Sequence, residues 1–235
     1  MTQRVAENGC ICRPSHWGIR RSRDKVGSTE ILPTPGAALV LKLTLLERCT
    51  LGKKKPLAVI KVAFSGTGLR RDWDHTDPGE SGACYRSLIS EIRTAIEAAK
   101  KDGIELRPRS FGWVQGESDA NANDSVIYAQ NLNAMLTSIR KELNVPKLAA
   151  LIAVNTRFLE GRNQFVPVII EQQKMVASFD PRWEYVDTSA ATIANQVHYD
   201  SKGTLEVGRL FAESLFEHRR KNSASTATSN DRHAR

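Results

Sequence analysis

The stretch SFGWVQGESD, residues 110–119, joins a short apolar segment to a polar corner. Ser110–Val114 is predicted to form a buried strand, and Gln115-Gly116-Glu117 follows at its end. Glycine lets the backbone approach a ligand closely. The Gln115 amide can donate two N–H groups to a developing oxyanion, and the Glu117 carboxylate can orient a histidine. The same residues also fit a strand end followed by an ordinary polar loop, and their chemistry alone leaves both interpretations open.

Strands and helices alternate on both sides of this stretch. The other predicted strands are Leu57–Ala63, Lys147–Val154 and Glu184–Val186, and the predicted helices are Tyr85 to about Lys101, one capped by Asn123 or Asp124 that stops before Pro146, Gln164–Phe179, and Ser201 to about Glu217. This alternation predicts an α/β fold built from βαβ units around a parallel sheet. In such sheets the active site lies at the C-terminal ends of the strands. Three segments are expected there: Gly66–Gly68, Gln115–Glu117 and the loop around His198.

The positive charge of the chain is concentrated at its two ends. Residues 1–35 carry six Lys or Arg and three Asp or Glu, and residues 217–235 carry five and two, so each end contributes +3 of the net charge of +8 and +2 remains for residues 36–216. Nucleic-acid binding needs a basic face on the folded domain, so we expect no nucleic-acid partner. No run of about 18 apolar residues is present, so no membrane span is predicted.

Neither the N-terminus nor the cysteines fix the compartment. Residues 1–30 are polar and Arg-rich and lack the apolar core of a signal peptide. Localisation therefore stays open: cytoplasmic as the chain is given, or secreted if the true N-terminus differs. The four cysteines match no common zinc spacing and are interpreted as free thiols, with a disulfide left open; they are Cys10, Cys12, Cys49 and Cys84.

A second string, NQVHYDSKG at residues 195–203, places His198 in a loop just before a helix. Histidine is the usual general base near neutral pH. A lone histidine is more often a hydrogen-bonded structural residue, so its position in the loop does not decide its role.

The strings taken together resemble a known family. WVQGESD at residues 113–119 and the downstream HYDSKGTLEVGRLFA look like the sialate O-acetylesterase, or carbohydrate esterase family 6, branch of the SGNH hydrolases. The earlier AVIKVAFSGTGLRRDW is similar to the strand, Gly-rich turn and Trp of that family. The three matches come in the family's order and cover about residues 54–216.

This resemblance implies a three-layer α/β/α sandwich of SGNH or flavodoxin-like type and hydrolysis of acetyl esters on sugars without a metal or other cofactor. A serine would attack the ester carbonyl and a histidine would take its proton. By matched position, His198 is the base and Glu117 the acidic residue. Gln115, Gly66 and Gly116 fall in the oxyanion or substrate site; the expected partner is an acetylated carbohydrate.

The sequence departs from the family pattern at the nucleophile. The family carries it in a Gly-Gln-Ser-Asn type turn after the first strand, and nothing in residues 1–56 fits that turn. We expect the first strand to be atypical or missing and residues 1–35 to be an irregular segment that is not native to the fold, through a wrong start codon or a frameshift. Ser65, in a turn at a strand end, is a minor alternative nucleophile.

A second departure concerns the acid. The family often has Asp three residues before the histidine, and Asn195 holds that position here, where it is assigned to the substrate site. An amide carries no charge and stabilises an imidazolium poorly. Glu117 is therefore the favoured acid and Asp187 an alternative.

Trp73 and Trp113 are interpreted as core residues, with stacking on sugar rings as the alternative.

The sequence thus predicts an esterase domain over 36–218, an irregular segment over 1–35 and a disordered tail over 219–235. The alternative function is a catalytically inactive relative that binds carbohydrate through the same cleft.

Overall fold

A computed structural model describes the backbone of residues 58–232 and, except for residues 219 and 221–232, their side chains. Five helices and three strands alternate along the described residues. In chain order they are α1 Leu69–Asp72, α2 Ala83–Lys101, β1 Ser110–Val114, α3 Tyr128–Glu142, β2 Ala149–Ala153, α4 Val166–Ser178, β3 Trp183–Tyr185 and α5 Ser201–Arg232. Short 3-10 turns lie at Glu80–Gly82, Ser125–Ile127 and Phe158–Gly161.

The three strands form a parallel sheet in the order β1-β2-β3. Trp113 is level with Ile152, and Ile152 is level with Tyr185. All five residues of β2 are buried, as expected for a central parallel strand covered on both faces. The C-terminal ends of β1 and β2 therefore meet at one edge of the sheet, and the residues that follow them are neighbours.

Alternate residues of β2 face two separate apolar clusters, and this defines three layers. Ala150 and Ile152 pack in the larger cluster with side chains from α2, α3 and α4. Leu151 and Ala153 pack in the smaller cluster with residues of α5, including Phe211. The sheet therefore lies between helices on both faces, and the predicted α/β sandwich with a parallel sheet is confirmed.

Most predicted elements are confirmed, with small changes at their ends. The strands after residue 110 and helices α2, α3 and α4 lie where apolar periodicity predicts them, and Pro167 lies in the first turn of α4. The predicted cap of α3 is wrong: Asp124 precedes the Ser125–Ile127 turn and makes no side-chain capping bond. Its carboxylate instead accepts a bond from Asn121.

The predicted strand Leu57–Ala63 is wrong over the residues that the structure describes. Residues 58–63 have no regular secondary structure, although Ile60, Val62 and Phe64 pack against the larger apolar cluster. Alternating apolar residues predict burial of one face, but a strand also needs a hydrogen-bonded neighbour. Among residues 58–232, the sheet pairings join only β1, β2 and β3.

The chain ends are only partly covered by the structure. Residues 1–35, predicted to be irregular, lie outside the described residues. Helix α5 continues to Arg232, well past Glu217 and into the segment for which composition predicts disorder. The predicted boundaries near residues 35 and 218 stay predictions. Within residues 58–232, no helix has the length and apolar character needed to cross a membrane.

The turn Phe158–Gly161 holds two non-glycine residues in the left-handed region, Leu159 with φ 52° and Glu160 with φ 58°. This conformation costs an L-residue about 1–2 kcal/mol. Glycine relieves this strain but also makes the unfolded chain more flexible, which offsets part of the gain. We therefore expect Glu160→Gly to raise the free energy of unfolding, measured by urea denaturation, by a net amount of about 0.5–1 kcal/mol.

The matched control is Glu171→Gly, at an exposed position within α4. This substitution should lower the free energy of unfolding by about 1 kcal/mol, because glycine weakens a helix interior. Equal losses in both variants would contradict the strain argument.

Candidate active site

Gly116 lets the chain turn sharply at the end of β1. The Gln115 N–H still bonds to the Ala153 carbonyl at 3.0 Å, as a continuation of the sheet. Gly116 then takes φ 149°, and a Cβ at this position would lie 2.6 Å from Cγ2 of Ile169 in α4. A side chain there would force Ile169 to shift. Gly116 was predicted to let the backbone approach a ligand; what the structure shows is close packing against Ile169 and Val154, and its place in a substrate site stays a prediction.

Gln115 is buried, and its side chain is fully engaged inside the protein. Its Nε2 donates to the Thr67 carbonyl at 3.0 Å and to Oδ2 of Asp119. Its Oε1 accepts from the Tyr128 hydroxyl at 3.1 Å. An amide has two N–H groups, and both are used here. In this arrangement Gln115 ties the Gly66–Gly68 turn to the corner and has no N–H left for an oxyanion.

Asp119 is the buried anchor of the same network, and sequence reasoning gave it no role. Its side chain is buried, and both carboxylate oxygens accept from the Leu69 N–H at 2.9 Å. Burial raises the pKa of Asp119, while hydrogen bonds from Gln115 and Leu69 oppose that shift. The signal available in the sequence was a second carboxylate two residues after Glu117, in the same quoted string.

Glu117 lies at the junction of β1 and β2. Its Oε1 accepts from the Asn155 N–H at 2.8 Å. The residue as a whole is half-buried, yet its carboxylate is surrounded by protein, and this desolvation raises its pKa. Backbone N–H groups of Asn155, Glu117 and Gly116 oppose the shift by bonding to the charged form. The carboxylate is thus fixed in place by backbone donors.

His198 lies exposed in a tight loop, and Asn195 shapes that loop. Asn195 Oδ1 accepts from the N–H groups of Val197 at 2.9 Å and His198 at 2.8 Å. The His198 carbonyl accepts from the Ala194 N–H at 2.9 Å. The Asn195 side-chain oxygen therefore organises the backbone around the histidine.

The loop bearing His198 is attached to the end of β2. Asn155 Nδ2 donates to the Val197 carbonyl at 3.3 Å. On the other side of the loop, the Tyr199 hydroxyl donates to Thr188 Oγ1 at 3.1 Å, and Thr188 donates to the Val154 carbonyl at 2.6 Å. The structure thus brings the His198 loop and Glu117 to the same end of the sheet, joined through Asn155. No hydrogen bond or ion pair between the His198 imidazole and Glu117 is found within residues 58–232.

The Gly66–Gly68 turn belongs to the same corner. Gly66 is exposed with φ 67°, and its carbonyl accepts from Arg71 Nη2 at 2.7 Å. Thr67, between the two glycines, is the residue that Gln115 holds through its carbonyl. Thr67 is therefore tied to Gln115 across 48 residues of sequence, which holds the turn at the corner, while Ser65 lies exposed next to Gly66.

The remaining sequence candidates are an exposed carboxylate in the loop after β3 and two buried tryptophans. Asp187 is exposed and accepts from the Ser189 N–H of its own loop. Trp73 and Trp113 are buried and pack edge to face with centroids 5.0 Å apart, so the core interpretation fits them. A cleft of about 560 Å³ lies against α2, and its lining includes Tyr85, Arg86 and Arg93 but none of the candidate catalytic residues.

Among the described residues, no group of three or more His, Cys, Asp or Glu side chains could hold a metal ion.

Comparison with known proteins supports this fold and identifies the family of the chain. A protein from Arabidopsis thaliana, solved by X-ray crystallography, superposes with a TM-score of 0.61 at 18% identity, over 80% of this chain and 71% of that one. That likeness shows a shared α/β fold. The family described as carbohydrate esterase, sialic acid-specific acetylesterase matches residues 35–217. The chain therefore belongs to this family of carbohydrate esterases. No curated protein matches the chain.

The close packing at Gly116 predicts a large effect of Gly116→Ala. The added Cβ meets Ile169 and is strained at φ 149°, so we expect the free energy of unfolding to fall by about 2–4 kcal/mol. The control is Gly103→Ala, at φ 71° with no atom within 4 Å of the new Cβ, which should lose only about 1 kcal/mol. Equal losses in urea denaturation would show that packing against α4 contributes nothing.

The surroundings of Glu117 predict a pH-dependent stability. Its raised pKa means that the folded state holds the proton more tightly than the unfolded chain does. The resulting stabilisation is present below the unfolded pKa of about 4.3 and is lost as pH rises through the folded value. The stability of the natural protein relative to Glu117→Gln should therefore fall from pH 4 towards neutrality, as measured by urea denaturation.

Glu105→Gln is the control with the opposite sign. Its hydrogen bond from Arg107 lowers the pKa of exposed Glu105. The natural protein should therefore lose stability relative to Glu105→Gln as pH falls. The same slope in both comparisons would contradict the assigned surroundings of Glu117.

Proposed function

We propose that this chain is a carbohydrate O-acetylesterase that removes acetyl esters from sugars, with His198 as general base and Glu117 as the acid that orients it. The observation that carries the proposal is the Asn155 connection between the fixed Glu117 carboxylate and the exposed loop of His198. Membership of a carbohydrate esterase family supports the reaction class.

The exposed His198 and the fixed Glu117 suit different parts of the reaction. His198 is open to solvent, so its imidazole is accessible for accepting a proton from the nucleophile and passing it to the sugar oxygen that leaves when the ester C–O bond breaks. Glu117 is held by backbone N–H groups, and a fixed carboxylate favours one orientation of an imidazole beside it. Catalytic hydrogen bonds are often long in ligand-free structures and tighten on substrate binding. The proposal thus requires the two side chains to meet in the substrate complex.

The oxyanion site is proposed to use the turn at Gly66 and the backbone around it. Gly66 is exposed, and its positive φ suits a turn that presents N–H groups. Both N–H groups of the Gln115 side chain are bonded inside the protein. Its proposed role is therefore indirect: it holds the Thr67 carbonyl and so fixes the turn that contains Gly66. Gly116 has no side chain, which allows the tight turn after β1. Asn195 orders the backbone of the His198 loop.

The serine that would act as the nucleophile is not yet identified. Residues 1–56 contain no Gly-Gln-Ser-Asn string, and Ser65 is exposed beside Gly66. A direct experiment treats the chain with a fluorophosphonate, which labels activated serines, and maps the modified peptide by mass spectrometry. Hydrolysis of p-nitrophenyl acetate and of an acetylated monosaccharide is measured on the same preparation. A labelled serine with hydrolysis supports the esterase and identifies its nucleophile.

Absence of both labelling and hydrolysis would contradict catalysis by this chain. It would favour the alternative, a non-catalytic relative that binds carbohydrate at the same corner. The two internal bonds of the Gln115 amide are the observation that favours this alternative. Titration with the acetylated sugar, followed by the intrinsic fluorescence of the protein, would then test binding.

For the enzyme, His198→Ala should lower kcat/KM for p-nitrophenyl acetate by about 10²–10⁴, the usual contribution of a general base. His75→Ala is the matched control, because His75 lies on the separate cleft against α2 and its loss should leave the rate unchanged. A His198→Ala variant with the rate of the natural protein would remove His198 from the mechanism.

A further inference from the structure

Asn155 contacts both Glu117 and the loop that carries His198. It follows β2 and Val154 directly, and its side chain is buried with 2% of its surface exposed. Its backbone N–H donates to Glu117 Oε1 at 2.8 Å, and its side-chain Nδ2 donates to the Val197 carbonyl at 3.3 Å. The residue after Val197 is His198, so one asparagine bridges the acid and the loop of the base.

The remaining atoms of Asn155 keep its side chain in one orientation. Its Oδ1 accepts from the Arg157 N–H at 3.0 Å, which fixes the amide plane and leaves Nδ2 pointing towards the His198 loop. A second contact supports the same loop, because the Leu159 N–H donates to the Gln196 carbonyl. The segment after β2 thus supports the loop at residues 196 and 197.

We propose, on the basis of the proposed function, that Asn155 is a positioning residue that sets the distance between the Glu117 carboxylate and the His198 loop. A backbone donor on one side and a side-chain donor on the other leave little freedom between the two partners. Removal of the side-chain donor frees the loop while the Glu117 bond, which uses the backbone, is kept. The expected effect is therefore local to residues 194–199.

Asn163 provides a matched control with the same pattern of bonds. Its Nδ2 donates to the distant Ala120 carbonyl at 3.1 Å, and its Oδ1 accepts from the Phe165 N–H two residues on. Among residues 58–232, the Asn163 side chain makes no hydrogen bond to the His198 loop or to Glu117. Asn163→Ala therefore removes equivalent hydrogen bonds elsewhere in the same domain.

The test is amide hydrogen exchange measured on the natural protein, Asn155→Ala, Asn155→Asp and Asn163→Ala. The reporters are the N–H groups of Ala194, Val197 and His198, which are bonded within the loop. Loss of the Nδ2 donor should speed their exchange about five- to tenfold. Asn155→Asp keeps the Oδ1 acceptor and replaces the donor by an oxygen that repels the Val197 carbonyl, so it should speed loop exchange at least as much as Asn155→Ala does.

Faster exchange of the loop in both Asn155 variants, with no change in Asn163→Ala, supports the proposal. Equal loop exchange in the Asn155 variants and the control overturns it. If Asn155→Ala does not fold, Asn155→Asp decides by the same reporters. Urea denaturation separates this local effect from a general loss of stability, which would speed exchange throughout the domain.

Kinetics give a second readout that a purely structural role would not reproduce. If the natural protein hydrolyses p-nitrophenyl acetate, Asn155→Asp should lower kcat about 10- to 100-fold with little change in KM, because misplacement of reacting groups affects the chemical step. A fall confined to KM would overturn the positioning role. If the natural protein shows no hydrolysis, the proposed esterase activity fails, while hydrogen exchange still decides whether Asn155 holds the loop.

Discussion

The site depends on the burial of two carboxylates without a cation. Glu117 and Asp119 lie two residues apart, and within residues 58–232 no lysine or arginine side chain is paired with either of them. A buried charge needs hydrogen bonds in place of water. Glu117 obtains them from the backbone, including that of Asn155, and Asp119 obtains them from Leu69 and Gln115. These requirements explain why the chain turns so tightly after β1 and why the Gly66–Gly68 turn is drawn to the corner.

The general architecture was predictable because it rests on local patterns. Apolar periodicity is a property of short segments, and it predicted α2, α4 and the strands after residue 110. The strand predicted over residues 58–63 was wrong because strand formation also requires a second segment to pair with. Their apolar side chains pack against the core as the pattern requires, but without a place in the described sheet.

The hydrogen-bond partners within the site were not predictable from the same patterns. Gln115 was assigned as a donor to substrate because of its position in the string, but its partners are Thr67, 48 residues away, and Asp119. Asn155 carried no motif at all, and its only signal was a polar residue directly after a buried strand. Local sequence shows which side chains end at the edge of the sheet, whereas long-range packing decides which of their atoms remain free.

The corner is assembled from segments that are far apart in the chain, near residues 66, 117, 155 and 198. Contacts of this range form late in folding, because each closes a long loop. During synthesis the Glu117 carboxylate and its neighbours leave the ribosome about 80 residues before His198 does. A nascent chain therefore cannot carry the complete corner until translation has passed the last of these segments, and any compact state formed before residue 155 emerges leaves the Glu117 carboxylate without the Asn155 N–H that stabilises it.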